Sequence, residues 1–155
     1  MQQQTASNIK ALSILHFSLL TGQAVFACIA YYVRYSGTMP TVDFGTNQQF
    51  IVIGIAAFAA VMAVLAFSLY RKKVAVLRES AIPVPGKLTA YRAAALIRWA
   101  MLEAPVLLAI VIFMLTGNYI LLIVAGAVLL LFITTRPTAA KVAAELSVSE
   151  SDVNS

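Results

Sequence analysis

The chain has 155 residues, of which 61% are hydrophobic and 11% charged, and its mean hydropathy is +0.90. Soluble domains run at about half apolar and about a quarter charged, so this composition excludes an ordinary water-soluble fold and points to an integral membrane protein. The net charge of +5 does not indicate a nucleic-acid partner, because Lys and Arg fall in the gaps between apolar runs instead of gathering on a polar face.

Residues 1–10 form a polar leader ending in Lys10. Apolar runs follow at 11–33, 50–70, 97–116 and 119–135, each within the roughly 17–25 helical residues that cross a hydrocarbon core of about 30 Å. Helix is the expected form of each, since an open sheet leaves backbone groups unpaired in lipid and no run alternates in polarity as a barrel strand does. The fold class expected is an all-α membrane protein, with four transmembrane helices arranged as two helical hairpins in an up-down bundle.

The first run is weighed against a cleavable signal, for which Val25-Phe26-Ala27-Cys28 hints at a lipidated cysteine. Phe26 stands where such sites prefer a small or β-branched residue, and the run continues through Ile29-Ala30-Tyr31-Tyr32-Val33. A signal core needs only about 7–15 apolar residues, so a retained span is expected. On this span Ser13, His16 and Gln23 share a helical face that should point into the bundle. Cys28, the single cysteine, allows no intrachain disulfide, and beside a single His it leaves no structural zinc site. Burial at mid-membrane depth should leave its thiol inert.

The connection 34–49 carries Arg34 and Asp43 and is expected on the outer side, with Tyr31, Tyr32, Tyr35 and Tyr119 as an aromatic belt. On the second span Ala56, Ala60, Ala63 and Phe67 form a packing face. Between the second and third spans lie Arg71, Lys72, Lys73, Arg78, Lys87 and Arg92 against Glu79, and Lys10, Arg136 and Lys141 flank the ends. The positive-inside rule makes this basic loop and both termini cytoplasmic, with Tyr70 and Trp99 marking the inner belt. Within the loop Pro83-Val84-Pro85-Gly86 cannot continue a helix, and Thr89 is a candidate N-cap for the third span.

The fourth span contains Ala125-Gly126-Ala127, suited to close backbone approach, and closes at Arg136-Pro137. In the cytoplasmic tail, 136–155, Ala139 to Leu146 make about two amphipathic turns, and Ser147 to Glu150 has capping-box spacing. The tail either frays or docks on a partner.

Four buried polar residues form the candidate proton or ion site: Glu103, His16, Gln23 and Arg98. A carboxylate inside a span costs about 2.5–3.5 kcal/mol on insertion scales, so Glu103 needs a reason to be there. It is either a proton or cation carrier or a packing residue paired with Arg98, His16 or a loop lysine. Arg98 lies on a different helical face from Glu103 and is expected to snorkel to the headgroups. Pro105 frees the carbonyl of Met101 and could kink the span beside Glu103. His16 is either a proton relay at the depth of Glu103 or a hydrogen-bonded packing residue.

Residues 16–23 and 98–105 can be aligned as a faint internal repeat, with His16-Phe17 matching Arg98-Trp99. The chain also resembles a set of small, uncharacterised four-span bacterial inner-membrane proteins. The resemblance rests on Leu20-Thr21-Gly22-Gln23, on Arg98-Trp99 with Glu103, and on Arg136-Pro137 leading to Leu146-Ser147 and Glu150. It covers almost the whole chain and implies a location but no activity. A more distant resemblance is to the proteolipid subunits of vacuolar-type ATPases, similar in length, span number and possession of an intramembrane Glu. Those proteins concentrate glycine in their inner helices and carry the carboxylate on the second helix of a hairpin, whereas this chain has 7 Gly and Glu103 on its third span.

The function expected is a non-enzymatic accessory or structural subunit of a bacterial inner-membrane complex; the alternative is a small proton or cation translocator carried by Glu103. An enzyme ranks lowest, since a Glu, a His and no motif make a weak constellation. No cofactor or metal is expected. The partners expected are the lipid bilayer and either a second copy of the chain or other membrane subunits.

Overall fold

The computed structural model describes residues 3–154. Among them all regular structure is helical and no strand forms: α1 (Gln3–Tyr35), a 3₁₀ turn (Gly45–Asn47), α2 (Gln48–Glu79), α3 (Val84–Thr116), α4 (Ile120–Thr134), α5 (Ala139–Leu146) and α6 (Glu150–Asn154). Three of these helices are long and apolar enough to cross a membrane, and four spans result if α4 and α5 are counted as one bent span.

The reason for that ambiguity is local. At 1.5 Å per residue, the 15 residues of α4 extend about 22 Å, short of a hydrocarbon core of about 30 Å. Pro137 has no N–H to give and disfavours helix in the residue before it. The chain therefore turns by 75° into α5, where the Thr138 side chain accepts from the Lys141 N–H as an N-cap. The expected fourth span, 119–135, is thus a shorter helix than its apolar run suggests.

Helix α3 is the centre of the molecule. Of its most apolar stretch 44% is buried, against 22% for α2 and 17% for α1. Leu88, Tyr91, Ala95, Trp99, Leu102, Val106, Ile110 and Phe113 are all within its core-facing surface, three or four residues apart as a helical face requires. It remains one helix through Pro105. α1 packs on α3, α4 and α6, whereas α2 packs on α3, α4 and α5. Direct α1–α2 packing, which a first hairpin would require, is not among the principal contacts.

Directions follow from contacts at the two ends. His16 meets Trp99 with ring centroids 5.0 Å apart, and at the far end the Arg34 guanidinium lies 3.2 Å from where a Cβ on Gly117 would stand. Thus α1 and α3 run side by side in the same sense. α4 runs the other way along α1, with His16 against Phe132 and Tyr31 against Tyr119. Gly117 ends α3 at φ 71°, a left-handed conformation that glycine adopts without Cβ strain. The linker after α1 is pinned there by Arg34 Nη1 donating to Met39 O at 2.7 Å and by Val42 N–H donating to Leu115 O at 2.9 Å.

Several local expectations are corrected. The basic segment is not a loop: α2 continues through Arg78 to Glu79, and α3 already begins at Val84. Pro85 is tolerated in the first turn because the N–H it lacks would have no intrahelical acceptor there. Thr89 is consequently inside the helix, donating to Pro85 O at 3.0 Å. On α2 the buried positions include Val52, Ile55, Ala59, Ala66 and Tyr70; of the expected face Ala63 and Phe67 pack partly buried against the core, and Ala60 is exposed. Ser147 does not cap α6; it closes α5 in a left-handed conformation, while Ser149 accepts from the Asp152 N–H. Cys28 lies exposed on the outer surface of α1. The tail folds back on the bundle it follows, burying Val142, Leu146 and Val153.

Candidate functional site

A polar and aromatic cluster at the base of the bundle gathers side chains from five helices. Arg98 on α3 is its hub. The residue is 3% exposed, and its guanidinium lies over the Tyr70 ring at 3.6 Å and 6.0 Å from the Phe67 centroid. Its Nη2 donates to Thr135 O at 3.1 Å, one of the carbonyls left open where α4 stops. A desolvated cation over a tyrosine contributes about 2 kcal/mol, so the expected snorkelling to headgroups is replaced by an internal mooring.

Tyr70 and Tyr91 face each other edge-on at 5.9 Å, and both hydroxyls donate to Glu145 Oε2 on α5, that of Tyr91 at 2.8 Å. Arg78 Nε donates to the Glu145 carbonyl at 3.1 Å. The amphipathic tail is thereby clamped over the α2–α3 base. Tyr70 and Trp99, expected as an interfacial belt, are instead core residues at 5% and 0% exposure. Both face into the bundle instead of out from it.

His16 occupies the α1 side of the same cluster. Its Nε2 donates to Phe132 O at 3.0 Å and lies 3.3 Å from Thr135 Oγ1, while its ring stacks on Phe132 at 4.7 Å. The second aligned position of the proposed repeat does not correspond: Phe17 is 67% exposed where Trp99 is fully buried. Gln23, two turns further along α1, is also buried, and neither its amide oxygen nor its nitrogen has a hydrogen-bond partner among the described residues.

Glu103 stands apart. It is half-buried at the edge of the α3 packing face and makes no hydrogen bond or ion pair with any described residue. The structure therefore joins Arg98 and His16 in one cluster through Thr135, and joins neither of them to Glu103 or Gln23. Arg71, Lys72, Lys73 and Arg78 are exposed on the helical extension of α2.

Sequence reasoning missed Tyr91, Thr135 and Glu145. Glu145 was legible only as a polar position in an amphipathic turn, and nothing in the chain order brings it to tyrosines 54 and 75 residues away. Among the described residues no three His, Cys, Asp or Glu side chains gather as a metal-binding group. Compared with known proteins, the chain matches no family model, no curated protein and no solved structure.

Proposed function

We propose that this protein is a four-span, up-down bundle of the bacterial inner membrane with both termini cytoplasmic, and that it serves as a non-enzymatic subunit of a membrane complex. The observation that carries the reading is Glu103. Counting along α3 from Trp99, it lies about 6 Å into the bundle from the basal cluster, at the depth of the apolar exterior formed by residues such as Leu108 and Ile97. A half-buried carboxylate with no partner among the described residues cannot be satisfied by lipid tails, because hydrocarbon offers no hydrogen-bond donor. A neighbouring protein, or a second copy of this chain, can supply one.

The basal cluster supports the same reading. His16 and Arg98 are engaged in hydrogen bonds that hold α1, α3 and α4 together, as groups that fix packing would be. A proton relay from Glu103 through His16, one form of the competing translocator, is disfavoured because His16 Nε2 is committed to Phe132 and Thr135.

Purification from native membranes in mild detergent, with measurement of the complex mass, tests the proposal. A homo-oligomer or a stoichiometric set of other membrane proteins is expected, and Glu103→Leu should dissociate it while the chain stays folded. A monomer with nothing bound, together with proteoliposome ion flux that disappears on Glu103→Gln, would replace this reading with the carrier.

A further inference from the structure

The basal end of α1 and the exit of α4 enclose an open cleft of about 490 Å³ that the cluster does not use. Its lining changes character along the bundle axis. Ser13 and Arg136 stand at the basal end, and Leu20 lies seven residues further along α1, about 10 Å deeper. The walls between are apolar and face outward: Ile14, Phe17 and Ile133 are 60%, 67% and 49% exposed. His16 forms the inner wall, with its Nε2 already engaged.

The charges here share a sign. Arg136 lines the cleft, and no carboxylate is among its lining residues. Lys141 Nζ donates to Thr134 O beside the cleft, and Lys10, one turn before Ile14, is exposed. A cleft with cations and a hydroxyl at its water-facing end and apolar walls towards its membrane end matches an amphiphile with an anionic head. A soluble anion would use the basal groups alone and leave the apolar walls bare.

We propose that this cleft binds one anionic phospholipid, its phosphate held by Arg136 and the Ser13 hydroxyl and an acyl chain laid along Phe17, Ile133 and Leu20. The inference rests on the membrane placement proposed above. It is independent of Glu103 and of any partner protein.

Native mass spectrometry of the full chain in neutral detergent, titrated with phosphatidylglycerol, phosphatidylcholine or inorganic phosphate, tests it. The wild type should hold a single saturable phosphatidylglycerol and bind phosphatidylcholine more weakly. Arg136→Gln should weaken binding about fivefold, the effect of one cation near an anionic head, and Arg136→Lys should retain most of it. Ser18→Phe fills the cleft from an exposed position of α1 without altering a charge, so it should lose the lipid while its melting temperature stays unchanged. Undiminished binding in both Arg136→Gln and Ser18→Phe would overturn the site. So would an equal loss in Arg71→Gln, which indicates diffuse attraction, or displacement of the lipid by inorganic phosphate. Carbonate extraction separates the two levels: release of the chain into the soluble fraction defeats the membrane reading itself, whereas retention with no bound lipid defeats only the cleft.

Discussion

Tyr70 carries two contacts at once, its ring face taking the Arg98 guanidinium at 3.6 Å and its hydroxyl donating to Glu145. It therefore connects a buried cation on α3 to a carboxylate on the tail without the two charges touching. Removing the hydroxyl alone separates these roles. Tyr70→Phe keeps the ring beneath Arg98 and should lower stability by about 1.5–3 kcal/mol, the range for hydrogen bonds to charged groups, read as a lower unfolding midpoint in detergent. A midpoint unchanged from wild type would mean that Tyr91 alone holds Glu145. Gln23 illustrates the opposite situation, since its buried amide has no partner among the described residues and is a net cost to this fold in isolation.

At the scale of elements, the tail is the part whose behaviour differs most from its sequence pattern. α5 is too short to be stable alone, as isolated helices below about 12–15 residues are marginal in water. It persists because Val142, Ala143 and Leu146 are buried and Glu145 is clamped. Truncation after Thr138 should therefore uncover the base selectively. Hydrogen exchange should rise in residues 70–79 and 84–95 and stay unchanged in 100–116, where the α3 core is remote from the tail. A uniform rise would show instead that α5 and α6 stabilise the whole bundle.

For the molecule as a whole, the proposed topology makes an accessibility prediction. In a Cys28→Ser background, a membrane-impermeant maleimide should label Thr38→Cys in intact cells and Ser151→Cys only after permeabilisation. Both positions are exposed and lie at opposite ends of the bundle, one on the α1–α2 linker and the other in α6. Labelling of Ser151→Cys from outside would invert the orientation, and labelling of both from one side would show that an even number of spans separates them, so that α4 with α5 re-enters instead of crossing.

Composition and apolar run length were enough to determine that the chain is helical and has at least three membrane-length segments, because backbone hydrogen bonds left unpaired in hydrocarbon permit little else. The turn at Pro137 and the glycine ending at Gly117 were equally local, set by backbone chemistry within a few residues. Which side of each helix faces inward was not local. Nearly every position of an apolar span is hydrophobic, so the periodicity that separates core from exterior in a soluble helix is weak here. Trp99 and Tyr70 therefore read as belt residues, and on α2 the expected face includes the exposed Ala60 beside Ala63 and Phe67, which pack against the core. Only the tertiary structure could bring Glu145 to Tyr70 and Tyr91, turn Arg98 inward, and leave Glu103 without a partner among the described residues, because each depends on contacts between helices that the chain order does not specify.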